Sequence, residues 1–358
     1  MKFYMPVRLY DEPECVARHG EDLASLGRKA LIVTGHKSAE RNGALGDVCM
    51  ALEMYGTEYC IFSGVEENPS VETVRKAAMR GKEAGCDYVI GIGGGSPIDA
   101  AKAAAFLLKQ QDPETADLYD ASIPTEAVPV AAVPTTCGTG SEVTGVSVLT
   151  LHENKTKKSI PHKIFPTLAL VDGKYLANAK LSMIVNTSID ALAHMMESYL
   201  SIQADAYSRA LVIEGLKIWA SVKDVLDETR PIDELDYGTL MRASTFAGMA
   251  IAQTGTSIPH ALSYIVTYDD QVRHGPACGL FLSRFVKEAY EEDSTPLMEA
   301  AGFADTDAFD AWLMNLLKDI TVRKETLQRA YDAVKEDARM NGTRVHMDAE
   351  SLARIVQL

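Results

Sequence analysis

The segment DYVIGIGGGSPIDAAKAAAF, residues 87–106, gives the strongest indication of the fold. It begins with a short β-rich run and continues, after three glycines, into an alanine-rich stretch with a helical pattern. Glycines allow a backbone to approach a ligand closely, and the free N–H groups at a helix N-terminus attract an anion such as pyrophosphate. We therefore expect an anion site around Gly93–Ser96, although an ordinary tight turn would also explain these glycines.

Short β-rich runs recur along the first half of the chain, at 30–34, 58–64, 128–134 and 167–172, and helical patterns follow the first two. Strands that alternate with helices predict a parallel sheet with helices on both faces. After about residue 180 only helical patterns remain, including the tail over 305–358. We predict an α/β domain with a parallel Rossmann-like sheet over 1–178 and an all-α domain over 179–358.

The composition argues against two classes of partner. Acidic residues outnumber basic ones by 50 to 35, and the formal net charge is -15. Such a chain repels nucleic acid and anionic membranes, so we expect neither as a partner. The six cysteines form no CxxC pair, which is typical of reduced thiols, and we expect a cytoplasmic protein.

A second donor-rich segment, PTTCGTGSEVTG at 134–145, follows another predicted strand and contains five hydroxyl-bearing residues and three glycines. An ordinary Ser/Thr-rich turn would have the same composition. However, two such loops at the ends of strands in one parallel sheet form the crevice in which these sheets bind nucleotides. The two segments together predict dinucleotide binding.

A candidate metal site lies in the second half. Asp190 and His194 are four residues apart on a predicted helix and therefore lie on one face. His260 and His274 follow in PHALSYIVTYDDQVRHGPA. A chain with eight histidines can place two near a carboxylate by chance, so the spacing alone leaves a metal site and ordinary core histidines both open. One carboxylate and three imidazoles would suit iron(II) or zinc(II) as a Lewis acid.

Four ordered motifs resemble the iron-containing (group III) alcohol dehydrogenases over about residues 30–280. They are GGGSPIDAAKA, PTTCGTGSEVT, the run from VD at 171 through IDALAHMMESY, and PHALSY with HG at 274. The chain is also similar to glycerol dehydrogenase and, more distantly, to dehydroquinate synthase. The resemblance implies a dehydroquinate synthase-like fold and an NAD(P)-dependent, metal-dependent alcohol dehydrogenase or aldehyde reductase.

The resemblance also implies which residues form the site. One divalent metal, iron first and zinc second, would be bound by Asp190, His194, His260 and His274. The pyrophosphate side of the dinucleotide would be held by Gly94, Gly95, Ser96 and Asp99, and its nicotinamide half by Thr135, Thr136, Thr139 and Ser141. Lys158 resembles the lysine that reaches the nicotinamide ribose, with Lys157 as the alternative.

Two departures from the family pattern bear on function. Tyr264 occupies the place of a further histidine in many relatives, which puts a proton relay there in doubt. Gly35 stands where NAD-preferring relatives carry an aspartate that binds the ribose hydroxyls and repels a 2′-phosphate. With that repulsion removed, and with a cation and the hydroxyl of Ser38 close by in sequence, we predict that NADP(H) is preferred over NAD(H) and that Gly35 and Ser38 lie at its phosphate.

In the expected reaction a hydride passes between the nicotinamide and a small primary alcohol, diol or aldehyde, and the metal acts on the substrate oxygen. A lyase similar to dehydroquinate synthase is one alternative, but it would need more basic residues than 190–280 contain. A dinucleotide-binding sensor without turnover is another alternative. Loss of a metal ligand would have favoured the sensor, but all four candidate ligands are present. The resemblance further implies a homodimer, often formed through an N-terminal strand such as KFYMPVRLY.

Overall fold

The computed structural model describes residues 3–112, 117–153 and 156–358. Its contacts divide the chain into two compact units. The first consists of Met5–Ala179 together with Glu234–Met241, and the second is built mainly from Lys180–Asp233 and Arg242–Leu358. The short segment 234–241 thus belongs by its contacts to the first unit, although it lies late in the chain.

The first unit is organised around a six-stranded sheet in which every pairing is parallel. Its order is β1-β8-β5-β4-β2-β3, and a separate antiparallel hairpin joins β6 and β7. The strands are β1 Arg8–Asp11, β2 Lys29–Gly35, β3 Glu58–Val65, β4 Tyr88–Gly93, β5 Val130–Pro134, β6 Val148–Leu151, β7 Thr156–Ser159 and β8 Leu168–Val171. The predicted parallel sheet is confirmed.

Both faces of this sheet are covered, which explains why its inner strands are largely apolar without alternation. In β2, Leu31 and Val33 belong to one buried apolar cluster, and Ala30 and Ile32 belong to another. All four side chains are fully buried. A two-sided core of this kind favours apolar residues at successive positions of a central strand.

The helices of the first unit follow the strands as expected. They are α1 Cys15–Arg18, α2 Gly20–Ala24, α3 Ser38–Arg41, α4 Ala44–Met54, α5 Val71–Ala84 and α6 Gly95–Lys109. Helix α6 packs closely on β4 because Gly91 carries no side chain: a Cβ there would lie 2.8 Å from the Cβ of Ala101. This close packing fixes the start of α6 against the end of its strand.

Beyond residue 180, every regular secondary-structure element that the structure describes is a helix, as predicted. The α-helices are α7 Leu181–Tyr199, α8 Ala206–Ala220, α9 Lys223–Leu226, α10 Glu234–Thr254, α11 Ile258–Asp270, α12 His274–Lys287, α13 Glu291–Ala301, α14 Thr306–Leu316, α15 Lys324–Val334 and α16 Ala349–Val356. Within the described part of the chain, no helix combines the length and apolar character needed to cross a membrane.

Candidate metal centre and dinucleotide loops

Helix α7 carries two of the expected metal ligands on a buried face. Asp190, His194 and Glu197 follow one another at helical spacings of four and three residues, so their side chains share that face. Their exposed fractions are 3%, 5% and 0%. Placing two carboxylates and an imidazole in a helical core is costly unless they bind one another or a cation.

The other two histidines begin the next helices of the same unit. His260 lies in the first turn of α11, which Pro259 helps to start, and His274 is the first residue of α12. Gly275 brings α12 directly onto α7, because a Cβ at that position would overlap the carbonyl oxygen of Asn186. A glycine beside His274 therefore places this imidazole next to the ligands on α7.

The four residues implied by the resemblance lie together around one carboxylate oxygen. From Asp190 Oδ1 the distance is 3.4 Å to His260 Nε2, 3.6 Å to His274 Nε2 and 3.9 Å to His194 Nε2. The rings of His194 and His260 are stacked, with centroids 4.5 Å apart. Three imidazole nitrogens directed at one carboxylate oxygen form a set of donors that suits one divalent ion.

Two buried atoms of this cluster lack hydrogen bonds. Among the described residues, Asp190 Oδ1 and His260 Nε2 are inaccessible to solvent and have no hydrogen-bond partner. Burial by itself raises the pKa of Asp190, but the neighbouring imidazoles outweigh it and hold that pKa below its ordinary value. A carboxylate oxygen and an imidazole nitrogen can each donate an electron pair to a metal, so two such buried atoms without hydrogen bonds fit a metal site.

Glu197 holds His260 from behind and was missed by the sequence analysis. Its carboxylate lies 2.5 Å from His260 Nδ1 and also accepts a hydrogen bond from the backbone N–H of Ser257. A carboxylate on the far nitrogen of a ligating histidine fixes the ring and its tautomer. The signal was present in the sequence, because Glu197 lies seven residues after Asp190 and so on the same helical face.

The remaining neighbours of the cluster come from α11 and α12. Tyr264 stacks on His274, with ring centroids 5.8 Å apart and an interplanar angle of 15°. Burial raises the pKa of its phenol. Cys278 lies one helical turn after His274 and is fully buried. Neither the tyrosine nor the cysteine was expected among the ligands.

The two loops expected to bind the dinucleotide lie against each other in the first unit. Gly94 caps the N-terminus of α6, and Gly95 is its first residue. A Cβ at Gly94 would lie 2.9 Å from Thr136 Oγ1, and one at Gly95 would lie 2.7 Å from Thr139 Cγ2. The backbone N–H of Thr135 donates to the carbonyl of Gly93, which joins the loops.

A Cβ at either glycine would crowd a threonine side chain of the second loop, so glycine allows the two loops to lie this close to the start of α6. This arrangement suits a pyrophosphate at a helix N-terminus. The nearby Ser96 hydroxyl is occupied, since it accepts a hydrogen bond from the backbone N–H of Asn68.

Asp99 and Ser141 are joined in a buried network with Lys102. The Ser141 hydroxyl donates to Asp99 over 2.5 Å, and Lys102 donates to Ser141 over 2.7 Å. Lys102 also donates to Thr144 and to the carbonyl of Val146. Burial lowers the pKa of Lys102, and the charge of Asp99 opposes that shift. The network links α6 to the second loop.

The other expected cofactor residues lie at strand ends and in the hairpin. A Cβ at Gly35 would make only ordinary van der Waals contacts, because its nearest neighbours, Ser38 Oγ and the Val65 carbonyl oxygen, are both 3.5 Å away. Ser38 is exposed and begins α3, which has only four residues. Lys158 lies in β7, where its ammonium is 5.5 Å from the centre of the Tyr119 ring.

Comparisons with known proteins agree with this fold. A family model described as iron-containing alcohol dehydrogenase matches residues 6–173, and a second, described as the C-terminal part of the Fe-containing alcohol dehydrogenase family, matches 184–357. The solved structure of an iron-containing alcohol dehydrogenase from Thermotoga maritima is similar, with a TM-score of 0.90, 35% identity, and coverage of 99% of this chain and 98% of that one.

Two curated relatives are similar in sequence. The long-chain primary alcohol dehydrogenase AdhA of Thermoanaerobacter ethanolicus is 32% identical over 277 residues, covering 75% of this chain and 68% of the relative. The NADPH-dependent butanol dehydrogenase of Clostridium saccharobutylicum is 28% identical over 337 residues, covering 91% and 84%.

Proposed function

The chain belongs to the iron-containing alcohol dehydrogenase family, and from that premise we propose how its own residues perform the reaction. It is an NAD(P)-dependent oxidoreductase that interconverts alcohols and aldehydes. The function expected from the sequence is thereby confirmed. The observation that carries the proposal is the convergence of three histidine Nε2 atoms on Asp190 Oδ1, within 3.9 Å.

Asp190, His194, His260 and His274 are the proposed metal ligands. When bound, the metal supplies a Lewis acid for the substrate oxygen, and the dinucleotide supplies or accepts the hydride. Asp190 contributes the negative charge that balances the cation, and Glu197 orients His260 through its Nδ1. Iron is our first choice and zinc the second, because both accept imidazole and carboxylate ligands.

The start of α6 is the proposed pyrophosphate site. Gly94 and Gly95 bring no side chain to this helix start, and Ser96 accepts a hydrogen bond from the backbone of Asn68 in the neighbouring loop. We propose that Asp99 acts by holding Ser141 and Lys102, since its carboxylate accepts from both. Thr135, Thr136 and Thr139 remain the proposed partners of the nicotinamide half, and Lys158 that of its ribose.

NADP(H) is the proposed preferred cofactor. The support comes from Gly35, which leaves room and no negative charge at the end of β2. Ser38 and the exposed Lys37 offer a hydroxyl and a cation near it in the chain. The relative from Clostridium saccharobutylicum is named as NADPH-dependent.

Small primary alcohols, diols and their aldehydes are the proposed substrates. The test is the change in nicotinamide absorbance when the metal-reconstituted protein is given a panel of aldehydes under anaerobic conditions. Oxidation of the reduced cofactor that depends on both metal and aldehyde supports the proposal. Absence of turnover across the panel, with metal and cofactor both bound, would contradict it.

We propose that the protein is a homodimer in the cytoplasm. Each chain would have two domains, over 1–178 and 179–358. In the described sheet β1 pairs only with β8, so the strand at 8–11 has one edge without a partner strand. Such an edge pairs readily with a second chain. All six cysteines lie in the described part of the chain and are outside disulfides, which suits a reducing compartment. A strict monomer in light scattering at micromolar concentration would contradict the dimer.

A further inference from the structure

The metal centre includes a sulfur atom that none of the four implied ligands provides. The donor atoms of Asp190, His260, His274 and Cys278 all lie within 4.8 Å of one another. The Cys278 Sγ is 3.9 Å from His274 Nε2. The thiol therefore lies among the atoms proposed to bind the metal.

The fold holds Cys278 in this position. It lies four residues after His274 on α12, so both side chains share one face of the helix. Gly275 and Gly279 bring the adjacent face onto α7, where a Cβ at Gly279 would lie 2.8 Å from Ile189 Cγ2. Packing of this closeness leaves the thiol little freedom to turn away.

A second observation is that two buried atoms of the cluster have no hydrogen-bond partner among the described residues. Asp190 is 3% exposed and His260 is 1% exposed, yet Asp190 Oδ1 and His260 Nε2 make no hydrogen bond with any described residue. Both atoms belong to the same group of donors as Cys278. A buried thiol beside two unsatisfied donors is the arrangement expected of a metal ligand rather than of an apolar packing residue.

We propose that Cys278 binds the metal through Sγ, as an additional donor beside the carboxylate and imidazoles. This inference rests on the proposed metal centre. As the Sγ–metal bond forms, the S–H bond breaks and its proton passes to solvent, with no change in oxidation state. Thiolate is a soft ligand, which favours zinc over iron(II). The ratio of zinc affinity to iron(II) affinity is therefore higher with Cys278 than in the same centre without this cysteine.

X-ray absorption of the zinc-loaded, full-length protein tests this directly. We expect one sulfur at about 2.3 Å from zinc in addition to nitrogen and oxygen at about 2.0–2.1 Å. In Cys278→Ser the sulfur contribution should disappear while zinc stays bound, with an affinity for zinc about 10-fold lower or more. Cys49→Ser, which removes a half-buried cysteine of α4, is the matched control and should retain the sulfur.

The outcomes separate this inference from the proposed function. Zinc bound by nitrogen and oxygen alone in the wild-type protein would overturn the role of Cys278 and leave the metal centre intact. A sulfur contribution that persists in Cys278→Ser would also overturn it. Failure of the wild-type protein to bind zinc, cobalt or iron would overturn the metal centre itself and this inference with it.

Discussion

His260 Nδ1 lies 2.5 Å from Oε1 of Glu197, inside the buried face that α7 presents to α11. With Nδ1 held in this way, His260 Nε2 is directed towards Asp190, 3.4 Å away. The carboxylate also accepts the backbone N–H of Ser257, which anchors the residue preceding α11. Glu197 is thus a positioning residue, which would act on a metal in the proposed centre through the imidazole.

Glu197→Gln should weaken metal binding. The amide can accept from only one of its two present donors and directs an N–H₂ group at the other, so the ring of His260 loses its fixed orientation. We expect metal affinity to fall by about 10-fold to 100-fold, measured by competition with a chelator. Glu214→Gln, an exposed glutamate on α8, is the matched control and should change nothing. Equal affinities in the two variants would contradict the role of Glu197.

Gly275→Ala should loosen the centre by a different route. Its Cβ would overlap the Asn186 carbonyl, which belongs to a helix backbone and cannot move aside cheaply. We expect a loss of about 1–3 kcal/mol in the free energy of unfolding, together with a lower metal content. Urea unfolding and elemental analysis measure the two effects. Gly46→Ala, where a Cβ meets nothing within 4 Å, is the control and should keep both at the wild-type level or slightly stabilise the protein.

Gly95→Ala should impair dinucleotide binding. The added Cβ would lie 2.7 Å from Thr139 Cγ2, so the start of α6 and the second loop must separate. We expect the Kd of the reduced dinucleotide, measured by its fluorescence, to rise about tenfold, which is about 1.4 kcal/mol. Adding Thr139→Ser removes the methyl group and should recover part of the loss. An unchanged Kd in Gly95→Ala would show that the pyrophosphate binds elsewhere.

The sequence predicted the architecture well because its signals were local. The inner strands β2, β4, β5 and β8 are largely apolar runs. Asp190 and His194 lie one turn apart on a long helix. Glu197 was missed because its importance depends on a contact with His260, 63 residues later in the chain. Cys278 was missed for the same reason: only the packing of α12 on α7 brings its sulfur to Asp190.

The β6–β7 hairpin and the role of Asp99 show a second limit. β7 is a short, polar strand, TKKS, with no apolar pattern to predict it. Asp99 was predicted to bind the cofactor from its place in a motif, and that stays a prediction; the hydrogen bonds that its carboxylate accepts from Ser141 and Lys102 were not predicted. A motif gives the position of such a residue, whereas its hydrogen-bond partners come from distant segments.

Gly35→Asp should change the choice of cofactor. The site accommodates a Cβ, since its nearest neighbours are 3.5 Å away, and the added carboxylate would repel a 2′-phosphate. We expect the activation free energy derived from kcat/KM to rise by about 2 kcal/mol more with NADPH than with NADH. The NADH kinetics of the same variant are the internal control. Equal kcat/KM values for the two cofactors in the wild-type protein would contradict the preference.

Elemental analysis after anaerobic purification gives the metal content of the wild-type protein and of His260→Ala. We expect one divalent ion per wild-type chain, because Asp190 and three imidazoles converge on one point. In His260→Ala we expect loss of that ion and of alcohol dehydrogenase activity. Unchanged metal content and activity in His260→Ala would contradict this expectation.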